Sequence, residues 1–436
     1  MTGIVPGGAD ATAGAQVSDA RRRTLLAGTI GTAIEWYDFF IYGLIAPLVF
    51  DQLFFPKFDQ TTATLAVFAT FAVGFLARPL GGIVFGHFGD RSGRRSVLLC
   101  TLLLMGLGTV SIGLLPTYGG AGAFATTALV VLRFIQGFAL GGESTAANLM
   151  AIETSPDDQR GFSAAVVQAA GPLGVVLASV AALAISRLTQ ADLLSWGWRI
   201  PFLISAILVA VGLYVRLRVE ESPAFREMPV VVKVPALEAL RTHWRPIIVV
   251  FFAEVAQTSY FYLTAIFTIS FATRQLGVAK DVMTQAVLLA NLVALVAMPL
   301  IGAWSDGIGR KRLFVTGVVL AAASMFVFYD AVATRNAWLV AMAVVLAAGV
   351  IHPLMFATEG SYFPELFPTR VRFTGVSIGK QIGTVLGGGI APLVATSLFA
   401  VAGTTLAITG YYVALALTAL IALAFAKETA RSRLLG

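Results

Sequence analysis

The chain has 436 residues, 58% of them hydrophobic and only 12% charged, with a mean hydropathy of +0.85; soluble domains carry about 25% charge, so a water-soluble globule is excluded. The net charge of +7 and pI near 9.7 come from basic residues gathered in short connections between apolar runs, which is a topology signal and argues against a nucleic-acid partner. The single Cys100 lies inside an apolar run, so neither a disulfide framework nor a CxxC metal site is available, and no metal or other cofactor is expected.

Residues 1–20 are small and polar with no apolar core of a signal peptide. Together with Arg21, Arg22 and Arg23 they are expected to form a disordered cytoplasmic tail, residues 1–23. Twelve apolar runs follow at 24–50, 62–88, 96–115, 122–150, 161–186, 198–217, 246–273, 281–304, 312–332, 335–361, 371–400 and 404–426. Each has at least about 20 residues, enough to cross a hydrocarbon core of about 30 Å as a helix. The long hydrophilic stretch 218–245 carries Glu220, Glu221, Arg226, Glu227, Lys233, Glu238 and Arg241 among Pro223, Pro229 and Pro235. It divides the chain into a bundle over 24–217 and a second over 246–426, with residues 427–436 as a second cytoplasmic tail.

With the N-terminus in the cytoplasm, Arg91, Arg94, Arg95, Arg160, the 216–245 connection, Arg310, Lys311, Arg312, Arg370, Arg372, Lys427, Arg431 and Arg433 all fall on the cytoplasmic side. Lys57, Arg187, Arg199, Arg274, Lys280 and Arg335 are left outside. That asymmetry predicts an inner-membrane, multi-pass protein with both termini cytoplasmic.

Two elements recur. The turn Gly86, Asp90, Arg91, Gly93 and Arg94 returns 216 positions later as Gly302, Asp306, Gly309 and Arg310; Glu153, Pro156 and Arg160 return 212 positions later as Glu365, Pro368 and Arg372. Two repeats at nearly one offset mark duplicated halves that rock against each other around a midplane site, the organisation of a secondary transporter. Glycines at the turn permit tight reversal and close approach, while the aspartate can meet a helix N-terminus or a neighbouring arginine. Gly86, Asp90, Arg91, Gly93, Arg94, Asp306, Gly309 and Arg310 are therefore the expected cytoplasmic gate.

Charges inside the spans point to the cargo. Lys380 sits at depth among glycines, where an ammonium costs at least about 2.5–3.5 kcal/mol, and is either a point charge for a substrate carboxylate or half of a fixed ion pair. Gln381 beside it, Gln168 at its repeat-related position, and Gln257 and Tyr260 on the polar face of the seventh span join Lys380 and Arg133 as candidate substrate-binding residues. Glu35, Asp38, Glu143 and Glu254 are acids within spans. A carboxyl whose cationic partner changes between the two open states binds and releases a proton in step, so these four are candidate proton-coupling residues with Arg133 as the switching partner.

The repeated turn resembles the signature of the major facilitator superfamily, and Arg133, Gln136 and Gly137 resemble its second motif, whose arginine is tied to proton coupling. Glu35-Trp36-Tyr37-Asp38-Phe39, Phe75 with Arg78-Pro79 and Gly81, Gly141-Gly142-Glu143, Trp196-Gly197-Trp198-Arg199 with Pro201-Phe202, Glu221-Ser222-Pro223, and Glu365-Leu366-Phe367-Pro368-Thr369 with Val371-Arg372 resemble the metabolite:proton symporter family. That family includes carriers of shikimate, α-ketoglutarate, citrate, and proline or betaine. The chain departs from it at Ser144-Thr145-Ala146, where a tryptophan and two glycines are usual, and at Lys380, where an aromatic residue is common. The resemblance implies an all-α membrane protein of twelve helices in two pseudo-symmetric six-helix bundles. It further implies a proton-coupled symporter of a small polar metabolite, most simply an organic acid; the working unit in lipid is expected to be a monomer. Gly171-Pro172-Leu173-Gly174 resembles part of an antiporter motif, which leaves proton-coupled efflux open, as is import of a zwitterionic osmolyte. An enzyme is not expected, because no nucleophile with a base and no paired metal set is present.

Overall fold

The computed structural model describes residues 9–226, 233–430, 432 and 434. Residues 1–8 of the N-terminal tail, Glu227 and Pro229 of the connection, and Arg431 and Arg433 lie outside the described residues. Twelve described helices are long and apolar enough to span a membrane. They are α1 (Ala9–Phe54) and α2 (Gln60–Ser92), followed by α3 (Arg94–Leu114), α4 (Ala123–Glu153), α5 (Arg160–Ile185), α6 (Gln190–Leu217), α7 (Trp244–Arg274), α8 (Lys280–Ile308), α9 (Arg310–Ala333), α10 (Ala337–Glu365), α11 (Thr369–Ala402) and α12 (Leu406–Ala424). Every expected span is present. The helix of α1 begins inside the segment read as a disordered tail, where alanines at 9, 11, 13 and 15 favour helix over coil.

Helices α1–α6 and α7–α12 form two bundles, each with its own aromatic core. Phe50, Phe54, Trp198 and Phe202 interlock in the first, with ring centroids 4.9–6.1 Å apart; Phe267, Phe271, Tyr329 and Phe399 do so in the second. Small residues line much of the seam between them, including Ala165 and Ala169 on α5, Ala294 on α8 and Ala357 on α10. Side chains this small let backbones approach without interdigitating, so the halves can slide where each half internally cannot.

Gly93 and Gly309 end α2 and α8 at φ of 101° and 118°, a region open to glycine alone at little cost. Each turn is closed from behind by a carboxylate that follows a bundle. Glu221 accepts from the backbone N–H of Arg94 and Arg95 at 3.0 and 3.1 Å. Glu428 accepts from that of Arg310 at 2.8 Å. Both cap the N-terminus of the next helix, α3 or α9, where negative charge is favoured.

Three helices of the second bundle contain a π-helical turn, at Tyr262–Phe267 in α7, Val345–Ile351 in α10 and Val385–Ile390 in α11. Such turns widen a helix locally and collect at functional sites. Tyr262, His352 and Thr384, at or beside these turns, all border one central cavity.

Candidate functional site: a central cavity and a two-part latch

The repeated turns close one end of the interface. Asp90, at the end of α2, accepts from the backbone N–H of Phe373 and Thr374 at 3.1 and 2.9 Å, capping α11 of the opposite half. Asp306, at the end of α8, accepts from Gly161 and Phe162 at 2.8 and 2.9 Å, capping α5 in the same way. Behind each aspartate lies a buried ion cluster that joins the second repeat to the first. Arg94 lies 3.5 Å from Asp90 and 3.4 Å from Glu153, which also takes Arg372 at 3.0 Å. Arg310 lies 3.0 Å from Asp306 and 3.1 Å from Glu365, which also takes Arg160 at 3.3 Å. Each cluster thus contains one arginine from the far half. Gly86 abuts Thr374. Arg91 is exposed and stands outside the clusters.

Toward the middle of the bundles the halves enclose a cavity of about 70 Å³. Its wall carries Trp36, Phe40, Phe261, Tyr262 and Phe356 as an aromatic lining, with Glu35, Arg78, Gln168, Glu254, Gln257 and Lys380 as polar points. Lys380 Nζ is 2.7 Å from Glu359 Oε1, and Gln168 Nε2 donates to the same oxygen at 3.0 Å. Glu254 Oε1 accepts from Thr258 and Thr384 at 2.8 and 2.6 Å, and Gln257 Nε2 lies 2.9 Å from His352 Nε2. Arg78 donates through Nε to Gln381 Oε1 at 3.0 Å, while Gln381 Nε2 donates to the Gly141 carbonyl at 3.0 Å. Gln381 therefore holds Arg78 in place and ties α11 to α2 and α4. A second cavity of about 200 Å³, bounded by Tyr42, Phe71 and Ile266, lies directly beyond Phe39, Phe40 and Tyr262. Those three rings border both cavities and separate them.

The remaining expected residues lie elsewhere. Arg133 is enclosed in the first bundle, 3.8 Å from the ring centre of Tyr42, and donates to Gln136 at 2.9 Å. It pairs with neither Asp38 nor Glu143. Glu143 pairs with Arg216, whose Nη1 is 3.1 Å from Glu143 Oε2, and Asp38 accepts from Ser205 at 2.5 Å, turned toward α6. Glu35 borders the cavity, whereas Asp38 is fully buried outside its lining. Tyr260 bonds Ser324 at 2.7 Å and its ring lies tilted 5.3 Å from that of Tyr412, outside the cavity lining.

A sequence profile described as Sugar (and other) transporter matches residues 24–241, and that of the Major Facilitator Superfamily matches residues 255–434. The shikimate transporter of Escherichia coli (strain K12) is 35% identical over 86% of this chain and 87% of its own length. The chain belongs to the major facilitator superfamily. It is a transporter, and a multi-pass membrane protein. The inner membrane metabolite transport protein YhjE of the same organism is 38% identical, covering 94% of this chain and 95% of that one. The fold of this superfamily member matches that of the proton:xylose symporter XylE of E. coli bound to 6-bromo-6-deoxy-D-glucose, with a TM-score of 0.78 at 19% identity over 96% of this chain and 98% of the other.

Three charged residues of this transporter, Arg78 on the cavity wall and the buried Glu359 and Arg216 outside its lining, are not among the expected site residues. Arg78 entered only as part of a motif; an arginine inside a span two residues after apolar Leu76 was itself the signal. Glu359, within the tenth run, is an acid at depth like Glu254 and is absent from the expected set. Arg216 was counted with the polar connection, yet it is buried against Glu143 and the Leu98 carbonyl.

Proposed function

We propose that this superfamily member is a proton-coupled symporter that imports a small carboxylate-bearing metabolite across the inner membrane, with both termini cytoplasmic and the monomer as the working unit. One observation carries this: Arg78 from the first bundle and Lys380 from the second border a single cavity between the halves. A carboxylate between them draws the halves together, and guanidinium geometry suits a planar anion. The charge asymmetry of the connections supports the orientation, with the latch at the cytoplasmic end. Glu35, Glu254 and Glu359 stand within or behind the same wall, so carboxyls that can carry a proton adjoin the carboxylate site; Asp38, Glu143 and Arg133 form a second buried set deeper in the first bundle. The relative named for shikimate, itself a hydroxylated carboxylate, agrees with such a cargo.

Because the acids outnumber the cations here and the wall is aromatic, a zwitterion with an ammonium group is the second reading. Both are tested by recording external pH as de-energised cells expressing the protein receive shikimate, dicarboxylates, aromatic acids, proline and betaine in turn. Alkalinisation specific to one carboxylic acid is the expected result. A response to proline or betaine alone selects the zwitterion, and silence to all with folded protein present removes proton symport of these classes.

A further inference from the structure

Resting on the symport reading above, we propose that Glu359 is the carboxyl that yields Lys380 to an incoming substrate carboxylate and takes a proton in exchange, so that anion and proton enter the site together. Glu359 Oε1 holds Lys380 at 2.7 Å and accepts from Gln168 at 3.0 Å. Its other oxygen, Oε2, is buried and without a hydrogen-bond partner among the described residues. Lys380 borders the cavity while Glu359 stands behind it. A substrate anion arriving from the cavity therefore meets the ammonium first and competes for it with Glu359.

The charges around Glu359 set the cost of that competition. Lys380 on α11 and Glu254 on α7 face it directly, Arg78 on α2 acts on it across the cavity, and Glu35 on α1 acts on Lys380 and Arg78. Gln168 on α5 is the neutral partner. With all three carboxyls ionised, they outnumber the two fixed cations and the site carries excess negative charge. Adding a substrate anion without compensation puts one more negative charge where water is scarce, and the interior penalises that heavily. One proton bound by Glu359 restores the total: an O–H bond of a hydronium ion from the entry side breaks as one forms on Glu359, and the ammonium moves to the substrate. The amide of Gln168 remains as a donor to the protonated acid, keeping it in place. After release of the substrate Lys380 returns to Glu359 and the proton leaves.

The test uses the full chain in proteoliposomes, with whichever of shikimate, succinate, benzoate, proline or betaine alkalinises the parent. Glu359→Gln imitates the protonated acid and keeps the bond to Gln168. Exchange of labelled for unlabelled compound is expected to persist, which also shows that the variant is folded. Accumulation driven by a pH gradient of one unit, about tenfold for one proton, is expected to fall to the equilibrium level, and the alkalinisation to vanish. Glu254→Gln, which removes the other carboxyl facing Glu359, is the comparison that tells which of the two acids carries the proton. A Glu359→Gln protein that still accumulates the compound about tenfold, or a Glu254→Gln protein that alone loses coupling, overturns the inference while leaving symport standing. Loss of exchange together with accumulation in Glu359→Gln also overturns it, because the carboxyl would then be needed for binding itself. A parent silent to all five compounds overturns the symport reading, and the inference falls with it.

Discussion

At the scale of single residues, Lys380 shows how an intramembrane charge has two masters. It is paired within the second bundle, yet its ammonium borders the cavity, so removing it affects both. A hydrogen bond to a charged group contributes about 1.5–3 kcal/mol, and Lys380→Gln is expected to weaken a carboxylic-acid substrate about 10- to 150-fold while a zwitterion held through its ammonium end suffers less. Trp36 on the cavity wall provides a fluorescence readout of binding. Equal anion affinity in parent and variant would discard the charge pairing. Lys380 was legible because an ammonium among glycines has few explanations. Its partner was not, since Glu359 lies on another helix and nothing in the local pattern of the tenth run distinguishes an acid aimed at a lysine from one aimed at solvent. The same limit applies to Arg133 and Glu143. Sequence named both, but only the fold, in which α3 packs against both α4 and α6, shows that Glu143 belongs to Arg216 and that Arg133 faces aromatic rings of α1 and α2.

At the scale of elements, the duplicated turn was readable as a repeat, although Arg91, expected in the gate, is exposed outside the clusters, and its partner was readable only in part. The repeat made an aspartate at a helix end conspicuous, and the arginine clusters joined Glu153 with Arg372 and Glu365 with Arg160, the second repeated motif. What the linear pattern did not contain was that each aspartate caps a helix of the opposite half. These caps exist only while this end is closed, so they weigh on the conformational equilibrium more than on folding. A carboxylate at a partly buried helix N-terminus is worth up to about 2 kcal/mol, or roughly 30-fold in a two-state ratio. Asp306→Asn keeps one acceptor but loses the charge, while Arg310 retains Glu365. The variant is expected to open the latch end more often. With Cys100 replaced by serine and Ser144, which borders the cavity, replaced by cysteine, labelling by a membrane-impermeant maleimide from that side is expected to quicken about tenfold. An unchanged rate would mean that the cap does not hold the end shut. The π-helical turns were not legible, because the bend they add depends on helix neighbours; only Gly387-Gly388-Gly389 hinted at one of them.

At the scale of the whole molecule, two bundles with separate aromatic cores meet along a seam of small side chains, so relative motion costs little packing while internal rearrangement costs much. The described state is shut at the latch end by both ion clusters, and toward the other end Phe39, Phe40 and Tyr262 are the rings that part the central cavity from the next among the described residues. Alternating access then requires α4 and α11 to separate near the latch in some part of the cycle. Thr145 on α4 and Ser377 on α11 are 3.2 Å apart side chain to side chain across the seam, close enough for a disulfide between cysteines placed there. In a Cys100→Ser background, Thr145→Cys with Ser377→Cys is expected to cross-link under mild oxidant and lose net uptake, with recovery on reduction. Each single variant is expected to keep transport. Complete cross-linking with uptake intact would mean that the halves never part at this level, and the rocking motion inferred from the duplicated turns would have to be replaced by movements confined to the aromatic end.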